Sequence, residues 1–177
     1  YITIPKKLSK NDEKLIKNYT SNDLILGGKN RYYSLKNALK NIKTTEYDYV
    51  MIHDAARPLT PRNIFIKMLE ACRSNKYNCI VPSSPVESTL RKNFQSVNRT
   101  EYSYYQTPQI IHLNTILKNI ANIDYVPTDD FGILEKNKNI KVKFILEMWS
   151  TLMVMILIKR LDFILLKNLN LGCFILD

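Results

Sequence analysis

The sequence predicts an α/β fold built on a mainly parallel sheet, from three observations. Continuously apolar runs, Tyr49-Val50-Met51-Ile52 and Cys79-Ile80-Val81-Pro82, read as strands buried on both faces, as parallel strands are. Between such runs lie segments with apolar residues at helical spacing. Strands alternating with helices imply βαβ units, whose ligands sit beyond the carboxyl ends of the strands.

The elements follow in order. Tyr1 to Pro5 and Asp23 to Leu26 read as short strands, with a charged surface helix over Lys10 to Tyr19 between them. Gly27-Gly28 stops the second strand, and a helix over Ser34 to Ile42 puts Leu35, Ala38, Leu39 and Ile42 on one face. The run from Tyr49 to Ile52 ends in His53-Asp54-Ala55-Ala56-Arg57-Pro58. A helix is expected over Pro61 to Cys72, with Thr60 as N-cap and Ile64, Ile66, Met68, Leu69 and Cys72 as its apolar positions. Ser88 to Asn98 alternates polar and β-prone residues around Lys92-Asn93 and reads as a hairpin projecting from the body. Gln106-Thr107-Pro108-Gln109 reads as a turn into a helix over Leu113 to Ile120. Thr128-Asp129-Asp130 should cap a helix through Lys136, and Val142 to Ile145 is a last strand.

At 177 residues the chain suffices for one domain with a core, and its composition of 45% apolar and 24% charged residues excludes intrinsic disorder. Three cysteines, Cys72, Cys79 and Cys173, lack disulfide-scaffold or zinc spacing, so a reducing cytosolic (cytoplasmic) setting is the default. The net charge of +10 is mostly lysine scattered with asparagine along the whole chain, which argues for no nucleic-acid partner. The longest apolar run, Leu152 to Ile158, is seven residues against the roughly 20 that a membrane helix needs, so no membrane partner is expected. The chain starts at Tyr1 without methionine or a secretory leader, which reads as a fragment. From about Glu147 the chemistry shifts to apolar blocks without clean periodicity, holding the only Trp and three of the five Met.

Four segments carry possible chemistry. In Gly27-Gly28-Lys29-Asn30-Arg31-Tyr32-Tyr33-Ser34 the glycines let backbone amides approach a base and Ser34 adds a hydroxyl; on this motif alone, an ordinary strand-to-helix turn with an N-cap serine is the favoured reading. In the second, Asp54 at a strand end suits Mg²⁺ or a ribose hydroxyl, with Arg57 as a planar permanent cation. An Asp54–Arg57 ion pair closing the loop is the alternative, and His53 reads as a structural histidine. Thr89, Arg99 and Thr107 offer two hydroxyls and a guanidinium, a set that suits a phosphate monoester. Thr128-Asp129-Asp130 is first of all a helix cap, although a helix N-terminus also receives phosphate.

Taken together, GGKNRYYSL, VMIHDAARPLT, VPSSPVESTLR, SVNR, YYQTPQ and PTDD resemble, in this order, the 2-C-methyl-D-erythritol 4-phosphate cytidylyltransferase family. The related ribitol-5-phosphate cytidylyltransferases share the pattern. The resemblance covers about Tyr1 to Ile145. It implies a Rossmann-like nucleotidyltransferase fold, a three-layer α/β/α sandwich with a protruding β-arm at about residues 87–105 through which such chains form homodimers. It implies CMP transfer from CTP to a polyol phosphate with release of pyrophosphate and Mg²⁺ as cofactor, in isoprenoid precursor synthesis or, for the ribitol relatives, in teichoic acid or capsule synthesis. By resemblance Gly27, Gly28, Arg31, Ser34, Asp54 and Arg57 serve the nucleotide, with Gly28 and Ser34 on cytosine, and Asp54 serves the metal. Thr89, Arg99, Thr107 and Thr128 serve the polyol phosphate, Arg99 reaching the partner's site.

Four departures shape the expectation. Lys29 stands where an acidic residue is often found and Ser88 where an aspartate is usual. The family's opening strand and glycine-rich loop, with its Arg and Lys, would lie before Tyr1, and its closing Asn-Ile-Lys-[Val/Ile]-Thr motif is absent after Ile145. Residues 1–145 are therefore expected to form an incomplete cytidylyltransferase domain with impaired turnover, and residues 146–177 a divergent tail, frameshifted or replaced. A non-catalytic nucleotide-binding or dimerising remnant is the alternative from another class.

Overall fold

The computed structural model describes residues 1–20, 24–43 and 47–146, and the backbone of 172–176. In chain order the elements are β1 (Ile2–Ile4), α1 (Lys10–Tyr19), β2 (Leu24–Leu26), α2 (Arg31–Leu39), β3 (Tyr49–Asp54), α3 (Arg62–Arg73) and β4 (Cys79–Pro85). They continue with β5 (Arg91–Lys92), β6 (Gln95–Ser96), β7 (Ser103–Tyr105), β8 (Gln109–His112), α4 (Leu113–Ile120), β9 (Val142–Leu146) and β10 (Gly172–Leu176). One eight-stranded sheet runs β2-β1-β10-β3-β8-β4-β7, with β9 on the other edge of β4. Only β7 and β8 run against the other strands among the described residues, so the sheet is mainly parallel.

Alternation along β3 explains the layers. Val50 and Ile52 point into a core formed with Leu35, Ala38 and Leu39 of α2 and Leu113, Ile116 and Ile120 of α4. Tyr49 and Met51 point the other way, onto Ile64 and Met68 of α3. The result is the expected α/β/α sandwich. Burying a side chain of the size of Ile52 or Met51 stabilises by roughly 2 kcal/mol, which is why the least exposed strand sits at the centre.

Several elements differ from expectation. Helix α2 begins at Arg31, not Ser34, because Asn30 is the N-cap and accepts from the Tyr33 amide at 3.1 Å. Helix α3 is entered through Pro61 without a side-chain cap; Thr60 instead donates its hydroxyl to the Arg57 carbonyl at 3.0 Å. Ile66 faces solvent. Residues 109–112 form strand β8, which takes Gln109 from the expected turn and fills the stretch before the helix, because its apolar residues fill the gap between β3 and β4. The helix expected through Lys136 is a single 3-10 turn, Phe131–Leu134. In the tail, where no element was expected, Gly172–Leu176 forms a parallel strand between β1 and β3; residues 147–171 lie outside the described residues.

The arm is a hairpin. Strands β5 and β6 pair antiparallel, closed by Asn93 (φ 54°) and Phe94 (φ 39°). Two positive φ values in a two-residue loop fit the twist of a hairpin. The turn thus centres one residue later than the sequence suggested. The base of the arm is tied by Arg99, which donates to the Glu87 carbonyl.

Candidate functional site

Strand β3 carries His53 and Asp54 past the end of its pairing with β8, which stops at Ile52 opposite Gln109. The antiparallel line β7–β8 is broken at Gln106-Thr107-Pro108. Ile80 faces Ile110 but Ser83 faces Tyr105, so extra residues are looped out at the join. The break lets Thr107 turn toward β3: its hydroxyl accepts from the Asp54 amide at 3.3 Å.

Asp54 is the centre of an ion cluster. Arg31, the first residue of α2, donates to one carboxylate oxygen of Asp54. Arg57 donates its Nε to the other at 3.2 Å. The far end of the Arg31 guanidinium donates to Asp130, whose side chain is 2% exposed. Arg57 also reaches the Gln106 amide oxygen at 3.2 Å. The turn from Asp54 to Arg57 is closed by the Arg57 amide on the Asp54 carbonyl at 3.0 Å, and the Arg57 carbonyl is held by Thr60 and by His53 Nε2 at 3.1 Å.

The charges follow from these contacts. Burial by itself would raise the Asp54 carboxyl, but Arg31 and Arg57 outweigh it and hold Asp54 below the usual carboxylate range. Burial raises Asp130, and Asp129 and Asp54 add to this against the pull of Arg31. Burial opposes the Arg31 charge, yet Asp130 and Asp54 keep it firmly protonated. The Nε of Arg31 is buried with no acceptor among the described residues. His53 is pushed down by burial and stays neutral at neutral pH.

The glycine loop is packed against its own helix. The Gly28 amide donates to Ser34 Oγ at 2.9 Å, and Ser34 donates on to the Asn30 carbonyl at 3.1 Å. A Cβ on Gly28 would stand 2.2 Å from that of Tyr33, so glycine is required by close approach. The Gly27 amide continues the sheet onto the Ile4 carbonyl at 2.8 Å. Of the expected site residues, Arg31, Asp54, Arg57 and Thr107 converge, and Gly27, Gly28 and Ser34 flank them through α2. Thr128 lies exposed, two residues before Asp130. Thr89 and Arg99 sit exposed on the arm, in none of these contacts.

Gln106, Gln109 and Asp130 are buried polar residues in this network that were not assigned from sequence. Gln109 donates to Asp129 at 2.8 Å and accepts from the Phe131 amide at 2.8 Å. The available signal was the pair of glutamines around Thr107, a polar motif entering a strand. A cage of three or more His, Cys, Asp or Glu side chains is not present among the described residues.

Comparison with known proteins then places the chain. Residues 2–146 match the family model described as 2-C-methyl-D-erythritol 4-phosphate cytidylyltransferase. The enzyme of that name from Thermosipho melanesiensis is 30% identical over 144 residues, covering 75% of this chain and 63% of the relative. The bifunctional enzyme IspD/IspF of Campylobacter fetus is 32% identical over 111 residues, covering 63% of this chain and 28% of the relative. The chain thus spans less than two thirds of the length of these relatives. Among solved structures, the bifunctional IspDF from Campylobacter jejuni superposes with a TM-score of 0.64 at 29% identity, over 78% of this chain and 36% of that one. The 2-C-methyl-D-erythritol 4-phosphate cytidylyltransferase from Thermus thermophilus superposes with a TM-score of 0.68 at 20% identity, over 83% and 71%, and supports the fold alone. With the family model spanning nearly all of the described body, the chain belongs to the 2-C-methyl-D-erythritol 4-phosphate cytidylyltransferase family.

Proposed function

We propose that the protein transfers CMP from CTP to 2-C-methyl-D-erythritol 4-phosphate, releasing pyrophosphate. The observation that carries this is the meeting of Arg31, Asp54, Arg57 and Thr107 at the carboxyl end of β3, from separate stretches of chain. Such a rim is where parallel sheets bind nucleotides. In the reaction a phosphate oxygen of the acceptor attacks the α-phosphorus of CTP. The bond to the bridging oxygen breaks, pyrophosphate leaves with the electron pair, and nothing is oxidised.

The protein has two tasks: to hold two repelling anions in line and to offset charge at phosphorus. Arg57 is fixed by Asp54 and Gln106 with its guanidinium partly open to solvent, so it is pre-oriented toward phosphate oxygens. Arg31 carries a buried Nε donor without an acceptor among the described residues, which suits a carbonyl or phosphate oxygen of the nucleotide. Thr107 and Thr128 are assigned to the polyol phosphate. Gly27, Gly28 and Ser34 are assigned to shaping the base side of the rim. Thr89 and Arg99 complete a neighbouring site if the arm mediates a homodimer.

The donor set fits Mg²⁺ only as a nucleotide-borne ion. Mg²⁺ takes one or two carboxylates plus substrate phosphates, and Asp54 is an ionised carboxylate at the rim. Bound there, the ion would neutralise triphosphate charge. Both Asp54 oxygens accept from arginines, so Arg31 or Arg57 must share that carboxylate with it. No helix among the described residues is long and apolar enough to cross a membrane, and a cytoplasmic enzyme is the reading adopted.

The test is binding, then turnover. CTP with Mg²⁺ should bind more tightly than ATP, and Arg57→Met should weaken CTP binding about tenfold or more. Pyrophosphate release should depend on methylerythritol phosphate rather than ribitol 5-phosphate. Equal affinity for CTP and ATP, unaffected by Arg57→Met, would overturn the assignment.

A further inference from the structure

We propose that Gln109 is a positioning residue that fixes Arg31 through Asp130, and through Arg31 the nucleotide side of the rim. The inference rests on the nucleotide-binding assignment only for its last link.

Gln109 is 1% exposed and is the first residue of β8, paired with Ile52 of β3, so the sheet sets its position. Its amide has two ends, and both are used on one loop. The Nε2 donates to the Asp129 carboxylate, while the Oε1 accepts from the Phe131 amide. The second Asp129 oxygen accepts from the Gly132 amide at 2.9 Å. Residues 129 and 131 are thereby clamped, and Asp130 between them has one direction left for its side chain. It points to Arg31.

This matters because Arg31 has a choice. Asp54 and Asp130 both act on Arg31, and Asp129 acts on Asp130. A guanidinium with five donors pairs with whichever carboxylates are fixed in its plane. Holding Asp129 on Gln109 and Gly132 fixes the loop that presents Asp130 to Arg31. Gln106 serves the other arginine directly, accepting from Arg57. The two glutamines around Thr107 thus set one arginine each.

A buried glutamine that merely satisfies a loop would show the same contacts, so the test needs a readout on Arg31. Gln109→Glu keeps the size and the acceptor for Phe131 but puts a carboxylate against Asp129, where a donor stood. Arginine Nε–H resonances of the full chain are followed by NMR, together with CTP binding. At neutral pH the Arg31 Nε–H of Gln109→Glu should exchange with water at least about tenfold faster, with the Arg57 Nε–H unchanged. At mildly acidic pH protection should return, because a carboxyl pressed against another carboxylate protonates readily and then donates as the amide did. CTP affinity should fall and recover in parallel.

An Arg31 signal indifferent to Gln109→Glu overturns the proposal, as does equal loss at Arg31 and Arg57. Should that variant not fold, Asp129→Ser removes the same bond from a less buried side and must give the same selective loss. If wild-type protein binds no CTP while Arg31 follows residue 109, the positioning role stands and the nucleotide assignment falls.

Discussion

Arg31 donates to Asp130 across 99 positions of sequence, joining the start of α2 to the loop before the 3-10 turn. The carboxylate is nearly fully buried, so its partner cannot be removed cheaply. Arg31→Met should cost about 3–5 kcal/mol, mostly as an uncompensated carboxylate at Asp130. Adding Asp130→Leu should restore a large part of that loss, since replacing both members of a buried pair is far milder than removing one. Urea unfolding of the two single variants and the double variant measures this. Simple additivity of the losses would contradict it.

The glycine loop gives a ranked pair. Gly28→Ala forces a Cβ against Tyr33 and its backbone, at 2.2 and 2.6 Å, and must break the amide contact to Ser34. A loss of about 1–3 kcal/mol is expected, as for overpacking in general. Gly27→Ala meets Ser34 Oγ at 3.1 Å and the Ile4 carbonyl at 3.3 Å, a milder encroachment, and should cost less. Thermal melts of both variants decide the order.

His53 sets an acid-side slope in stability. Burial lowers it from 6.5, with the Arg57 carbonyl pulling weakly the other way. Its contribution is present above pH 6.5, where folded and unfolded rings are both neutral. Below that pH the unfolded ring gains a proton that the buried ring refuses, so stability falls toward the lower folded value. His53→Gln keeps a donor for the Arg57 carbonyl and should flatten this slope. Denaturation midpoints at neutral and mildly acidic pH would show it, and an unchanged slope would count against it.

The arm carries a local strain. Phe94 has φ 39° and is 97% exposed at the hairpin tip, so it holds a left-handed conformation without burying its ring. Phe94→Gly should relieve about 1 kcal/mol. The readout is hydrogen exchange at the Val97 amide, which bonds the Leu90 carbonyl at 3.0 Å. Slower exchange is expected; faster exchange would show that the ring stabilises the arm.

Much of the body was legible because its strands and helices repeat the periodicities of burial. Val50 to Ile52 has the continuous apolar run typical of a strand buried on both faces, and Leu35, Ala38 and Leu39 fall on one face of a helix. The hairpin was visible in its alternation. Strand β8 was not, since four residues after a proline carry too little pattern to separate a strand from a turn; the slot between β3 and β4 decides it. Cap assignments failed for a similar reason. Ser34 and Thr60 are good cap residues, but Asn30 and the Arg57 turn claimed those places first.

The order of the motifs determined the family, the rim where they would meet, and Asp54 with Arg57 as one unit. The sequence could not determine that Arg31 would bind Asp54 and Asp130 together, nor that Gln106 would hold Arg57 and Gln109 would hold Asp129. Those pairings join residues tens of positions apart, and those of Gln106 and Gln109 lie at the break between β7 and β8. Hydrophobic burial is written in local period; the partner of a buried polar group is chosen only when the chain has closed around it.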